Sequence, residues 1–382
     1  MSEGATPDAA CNLERSMDPV LPFTPLIRSL PAVVPFVPPE ALERRNGRPL
    51  AVRVGANESA FGISPLAREA MRGAVEQISW YNDPEAHELR LTLAPLHGVA
   101  MEEVCVAAGI DELLGLMVRL SVEPGDPVVS SRGSYPTFNF HVAGFGGRLC
   151  PVPYRGDYTD LEALAAEVKK TGAPLVYLAN PDNPMGTFHP AASVRDFLGQ
   201  LPPDCLVILD EAYVEFAPAQ VHLPVETLDP RLVRMRTFSK AHGMAGARIG
   251  YAVAHRQVVA ALDKIRNHFA VNRVAQAGAL ASLGDPGFLA GVVRQVEEGR
   301  REYAALAGEL GLRAVPSGTN FVALEIGPQA RRLLEVLLEN DVFVRMPGMA
   351  PLDRCIRVTV GTPQERRDFA QVLRRVLPQV RP

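Results

Sequence analysis

Seven short apolar runs, separated by helical patterns, constrain this chain more than any other feature. They are VCVAA (104–108), PVVSS (127–131), RLCPVPY (148–154), LVYLA (175–179), CLVIL (205–209), VRMRTF (233–238) and IGYAVA (249–254). Each is too short for a typical helix, and most are apolar throughout rather than alternating. A strand covered on only one face alternates, whereas one buried on both faces does not. Amphipathic stretches such as DELLGLMVRLSV and DLEALAAEVKK fall between the runs. The pattern predicts an α/β fold with a mostly parallel central sheet and helices on both faces.

After about residue 285 the pattern changes. Helical stretches near 287–310 and 329–340 flank the runs FVALEI, VFVRM and CIRVTVG, and PQERRDFAQVLRRVL closes the chain. This reads as a smaller α+β domain. The expected division is 1–50 as a disordered start and extended Pro-rich arm, 51–284 as a large domain, and 285–382 as a small C-terminal domain. A chain of 382 residues, 47% hydrophobic and 21% charged, can bury two such cores. Helix starts are expected at Ser64-Pro65, a cap followed by proline, and at Asp83-Pro84.

Composition removes several functions. A net charge of -4 without a basic cluster excludes a nucleic-acid partner. The stretch LIRSLPAVVPFVPP is broken by prolines and an arginine, so no membrane span is expected. Cys11, Cys105, Cys150, Cys205 and Cys355 are scattered, which reads as reduced thiols in a cytoplasmic protein and offers no metal site. No GK[ST] loop or GxSxG elbow occurs, and Gly144-Phe145-Gly146-Gly147 precedes a strand rather than following one, against a dinucleotide fingerprint.

Ligand sites in open parallel sheets lie beyond the carboxyl ends of the strands. LVYLA runs into Asn180-Pro181-Asp182-Asn183-Pro184-Met185-Gly186, CLVIL into Asp210-Glu211-Ala212-Tyr213, and VRMRTF into Ser239-Lys240. An amide, a carboxylate with a phenol, and a lysine with a hydroxyl would line one crevice. Alone, each segment is as readily a turn, a helix cap or a solvated pair; their common position favours a site. Gly109-Ile110-Asp111 stands between a strand and a helix, where backbone N–H groups meet an anion, although Asp111 also suits a cap. Arg248 offers a bidentate fork for a phosphate. Tyr135 follows a strand and suits either core packing or stacking on a flat ring.

The segments NESAFGISP, WYNDPEAHELR, AAGIDELL, SYPTF, NPDNPMGT, LDEAY, RTFSKAHGMAGARIGY, GTNF and CIRVTVGT, in this order from Asn57 to Thr362, resemble fold-type I aminotransferases. The chain is most similar to the histidinol-phosphate aminotransferase group. The resemblance implies pyridoxal 5′-phosphate held as a Schiff base on Lys240, with amino acids and 2-oxo acids as substrates of a ping-pong exchange. It implies that Asp210 faces the pyridine nitrogen, that Asn183 and Tyr213 face the 3-oxygen, and that Tyr135 stacks on the ring. Ser239, Arg248 and the Gly109, Ile110 and Asp111 amides would hold the phosphate. Tyr81 would reach the phosphate of the partner subunit, which implies a homodimer with shared sites. Arg357 would pair with the substrate α-carboxylate, Arg345 matches a family arginine, and Asn57 lies near the substrate mouth.

The chain departs from the group at three places. Val34-Pro35-Phe36-Val37-Pro38 stands where the group has a PY pair, so Phe36 lacks the hydroxyl that helps bind a substrate phosphate. A phenyl ring there favours an aromatic or aliphatic amino acid as substrate. NESAFG lacks the usual proline, and Pro-Met-Gly replaces Pro-Thr-Gly. A decarboxylase resembling threonine-phosphate decarboxylase shares the cofactor residues and is the alternative activity.

Overall fold

A computed structural model describes residues 21–31, 37–224 and 229–380. Met1–Ala32 and Val33–Pro382 form two compact units. In the first, the described residues form a short helix, Pro25–Ser29, where an extended arm is expected. Pro25 suits the first helical turn, and the Thr24 hydroxyl accepts from the Ile27 amide at 3.3 Å. In the second unit the expected arm is likewise helical over Pro39–Asn46, which ends at Gly47 in the left-handed region. Phe36 lies outside the described residues.

The strands, in chain order, are β1 (Val52–Arg53), β2 (Val104–Ala107), β3 (Pro127–Ser131), β4 (Arg148–Val152), β5 (Leu175–Ala179), β6 (Leu206–Asp210), β7 (Leu232–Thr237), β8 (Gly250–Val253), β9 (Arg313–Ala314), β10 (Phe321–Glu325), β11 (Val342–Phe343) and β12 (Cys355–Thr359). A seven-stranded sheet has the order β2-β8-β7-β6-β5-β3-β4. β3 to β7 are parallel, and β8 runs antiparallel to both its neighbours. All seven apolar runs are therefore strands of one α/β sheet.

Both faces of that sheet are buried, which explains the uninterrupted apolar runs. Leu175, Tyr177 and Ile208 pack with Leu113, Leu114 and Met117 of the helix Ile110–Ser121 on one face. Val176, Leu178, Val207 and Leu209 pack with Val168 and Phe197 on the other. Large aliphatic side chains buried this way each stabilise the fold by roughly 1.5–3 kcal/mol.

β12, β10 and β9 form a three-stranded antiparallel sheet, and β1 pairs with β11 in parallel. These strands share a core with the helices Pro286–Glu309, Ala330–Glu339 and Pro363–Val380, centred on Val296, Tyr303, Leu333 and Phe369. β1 thus joins residue 52 to strands near residue 342, a pairing that no local pattern announces.

Ser64 caps the helix Pro65–Val75 as expected, its hydroxyl accepting from the Leu66 amide at 3.1 Å. The next helix starts at His87 rather than beside Pro84, because Ala86 is left-handed. Asp83 still acts as a terminator of the turn, accepting from the amides of Glu85 and His87 at 3.0 and 2.8 Å. Cys105, Cys150, Cys205 and Cys355 are free and buried. No described helix is long and apolar enough to cross a membrane, and among the described residues no cluster of ligating side chains could hold a metal ion.

Candidate active site

The carboxyl ends of β3, β5, β6 and β7 open on one edge of the large sheet. β2 also ends there, because its Ala107 pairs with Gly250 at the start of β8. A cavity of about 840 Å³ lies at this edge. Lys240, Asp210, Tyr213, Asn183, Ser239, Arg248, Ile110, Asp111, Tyr135, Asn57, Arg345 and Arg357 all line it.

One end of the cavity is built to take an anion. Gly109 caps the helix Ile110–Ser121 with φ +90, a conformation that L side chains rarely adopt. A Cβ on Gly109 would stand 2.6 Å from Nη2 of Arg248, so only glycine lets the guanidinium approach the helix terminus. Arg248 also donates to the Ala245 carbonyl at 3.1 Å, to the Asp111 carboxylate at 3.2 Å and, more weakly, to Ser239 Oγ at 3.4 Å. The Thr237 hydroxyl accepts from the Ser239 amide at 3.1 Å and donates to Ser239 Oγ at 3.0 Å. A helix N-terminus, a hydroxyl and a guanidinium therefore converge.

Asp210 ends β6 and is 6% exposed. It accepts from the Tyr177 hydroxyl at 2.7 Å and the Ala212 amide at 3.0 Å. Burial pushes its carboxyl up to about 6, against the lowering by these two donors. Its chain neighbour Glu211 meets the opposite environment, bonded to Arg234 at 3.0 Å and Arg236 at 2.9 Å. Burial raises Glu211 too, but Arg236 and Arg234 outweigh it and hold the carboxyl below its usual value.

Lys240 donates from Nζ to the Asn57 carbonyl at 2.9 Å and stands 5.6 Å from the centre of the Tyr213 ring. Burial first, and then the charge of Arg357, bring its amine down to about 8. Asn57 is only 2% exposed and holds φ 55. This backbone turns its carbonyl toward Lys240 and Asn320, while its side-chain amide donates to the Tyr213 hydroxyl at 3.0 Å. Asn183 approaches the same hydroxyl at 3.5 Å and accepts a short hydrogen bond from Arg357. Burial pushes the Tyr213 phenol up to about 12.

Arg357 in β12 stacks 5.1 Å from the centre of the Phe321 ring, and burial lowers it to about 10. Its Nε is buried without a partner among the described residues. Arg345 pairs with it through the backbone and donates to the Val37 carbonyl at 3.1 Å. Tyr135 donates to Asp111 at 2.8 Å, so ring packing and the acid combine there. Tyr81 does not join the group: it is 80% exposed, outside the cavity lining, with its ring 4.8 Å from that of Phe269.

Sequence patterns alone did not single out Tyr177, Asn320, Thr359, Met346 or Met349. The tyrosine carried a signal, since a phenol in an aliphatic strand needs a buried partner.

Below the cavity, Asp182 is buried and accepts from the Tyr154 hydroxyl and the Met185 amide, each at 2.9 Å. Burial raises its carboxyl to about 7. A carboxyl raised in the folded state stabilises it below the unfolded value and loses that stabilisation as pH rises through the folded value. The window here runs from about pH 4 to about pH 7, and the loss is roughly 4 kcal/mol. Asp182→Asn escapes it. Its melting temperature relative to the parent is expected to rise from pH 5 to about pH 7 and to level off by pH 8; a flat difference throughout would rule out a buried titrating acid.

Residues 51–373 match the family described as "Aminotransferase class I and II". The chain belongs to that family. Histidinol-phosphate aminotransferase of Anaeromyxobacter sp. (strain Fw109-5) is 38% identical, over 94% of this chain and 99% of the relative. That of Moorella thermoacetica is 34% identical, over 92% of each chain. The crystal structure of histidinol-phosphate aminotransferase from Sinorhizobium meliloti in complex with pyridoxal-5'-phosphate superposes with a TM-score of 0.92 at 47% identity, covering 96% of this aminotransferase and 100% of that chain.

Proposed function

We propose that this aminotransferase binds pyridoxal 5′-phosphate on Lys240 and moves an amino group between histidinol phosphate and a 2-oxo acid. The residues fit the cofactor. The Gly109 cradle with Ser239 and Arg248 suits its phosphate, Asp210 suits its ring nitrogen, and Asn183 with Tyr213 suits its 3-oxygen. Tyr135 is the proposed stacking partner. The cofactor supplies an electron-withdrawing ring that takes up the electron pair left when the substrate Cα loses its proton.

The chain's own groups do the rest. An amine brought down to about 8 gives up its proton far more readily than an ordinary lysine, so that, once deprotonated, Lys240 Nζ can accept the Cα proton and return it. The Asn57 carbonyl, 2.9 Å away, holds that amine within the cavity between transfers. Asp210 holds a positive ring nitrogen by a charge-assisted hydrogen bond in a dry site. Arg357, held by Asn183, offers its fork to the group on Cα, and Arg345 and Arg132 on the same cavity wall favour a phosphate ester there.

The side-by-side pairing of Arg345 and Arg357 on this wall carries the phosphate reading. Relatives named for histidinol phosphate, matched over nearly their full lengths, support it. A second reading, an aromatic or aliphatic amino acid as donor, is favoured by Met346 and Met349 on the same wall and by Phe36 in the sequence. A phosphate that gains a charge-assisted hydrogen bond is favoured by roughly 1.5–3 kcal/mol, about one to two decades. Steady-state assays with 2-oxoglutarate as acceptor should therefore show kcat/KM for histidinol phosphate at least about tenfold above that for phenylalanine. The reverse order selects the second reading, and CO₂ release without an acceptor selects a decarboxylase.

The remaining organisation is part of the same proposal. Residues 51–284 form the cofactor domain, and residues 285–382 the domain that brings Arg345 and Arg357 to the site. Ile78, Trp80, Tyr81 and Phe269 are an exposed apolar cluster suited to a second copy of the chain, whose Tyr81 would complete the phosphate cradle in a homodimer. Buried free cysteines suit the reducing cytoplasm.

A further inference from the structure

The register of β5 against β6 places Ala179 opposite Asp210. Tyr177, two residues earlier in β5, lies on the same sheet face, within diagonal reach of a long side chain. It uses that reach: its hydroxyl stands 2.7 Å from Oδ2 of Asp210. The ring is locked in the core, 1% exposed and stacked on Phe138 with centroids 4.7 Å apart and planes 17° from parallel. The other carboxylate oxygen takes the Ala212 amide.

We propose that Tyr177 is a positioning residue whose hydroxyl keeps the Asp210 carboxylate ionised and turned into the cavity. The inference rests on the cofactor reading above. Without this donor, a carboxylate at the base of a buried strand would face burial together with the negative charges of Asp111 on the adjoining helix and Glu211 beside it. Glu211 is itself paired with Arg234 and Arg236, and Asp111 with Arg248 and Tyr135. Lys240 and Arg357 line the same cavity. Among these groups only Tyr177 and the Ala212 amide donate directly to Asp210. A hydrogen bond to a charged acceptor is worth enough to move an acid by about one to two pH units. A neutral Asp210 cannot hold a protonated ring nitrogen.

The test uses cofactor-stripped full-length protein, titrated with pyridoxal 5′-phosphate from pH 5.5 to 8.5 and read as the half-saturating concentration. In the parent, affinity is expected to fall as Lys240 takes up its proton below about 8, a step common to the parent and to Tyr177→Phe, and to fall again at a midpoint near the Asp210 titration. Tyr177→Phe should move that midpoint upward by about one to two units while affinity at pH 8.5 changes far less. In an Asp210→Ala background the same substitution should add nothing, because the hydroxyl acts through the carboxylate. A Tyr177→Phe curve superimposable on the parent, or an effect that persists without Asp210, overturns the proposal and leaves the cofactor reading standing. A parent that binds no cofactor at any pH overturns both.

Discussion

Lys240→Ala should bind pyridoxal 5′-phosphate without a covalent link and lose turnover by on the order of 10⁴-fold or more, because in the proposed mechanism one side chain supplies both the attachment and the proton transfer. Borohydride treatment of the parent should fix the cofactor on Lys240. The assignment is easily read: the chain has only four lysines, Lys169, Lys170, Lys240 and Lys264. Lys240 alone among them lines the cavity. Recovery of the reduced cofactor on a Lys264 peptide would sink the assignment. The lowered amine adds a pH signature, since the proton-accepting form of Lys240 is lost as pH falls below about 8.

The second large effect is expected at Asp210. Its carboxylate is buried and held by two donors, neither of them a cation. Replacing it by alanine should leave the cofactor able to reach Lys240 at saturation. The half-saturating concentration should nevertheless rise by about one to two decades with the loss of a charge-assisted hydrogen bond. Turnover at saturation should fall by a further factor of about 10² or more, because the ring nitrogen is no longer held positive when charge develops. Absorbance titration separates the two quantities. Turnover within a few-fold of the parent at saturation would show that another acid serves the ring.

The sequence made the strand-end groups legible for a physical reason. Strands buried on both faces are continuous apolar runs, so the first polar residue after each run marks the sheet edge where ligands bind. Asn183, Asp210, Tyr213, Ser239 and Lys240 were visible this way, and all line one cavity. Asn57 was visible as a motif but not in its setting. Its left-handed backbone and its bonds to Tyr213, Lys240 and Thr359 join parts of the chain more than 150 residues apart, beyond any local pattern. Tyr177 was hidden because a phenol within an apolar strand looks like core. β1, β9 and β11 span two residues each, too few to show a period. The helices at Pro25–Ser29 and Pro39–Asn46 were hidden by prolines that read equally as extended chain and as first-turn residues.

Asp210 and Glu211 carry nearly the same chemistry, yet one is raised and the other lowered, because Asp210 ends β6 and Glu211 continues its ladder by one residue, its amide bonded to the Met235 carbonyl, so the two side chains point to opposite faces. The division of labour between them is therefore a matter of parity. A single-residue deletion within β6 would exchange the two side chains between faces. Glu211 would enter the cavity without its arginines, and Asp210 would meet Arg234 and Arg236 in its place. The count of residues along this strand is thus as strict a requirement for the aminotransferase as the acid itself, and shortening the strand by two residues should be less harmful to the site's polarity than shortening it by one.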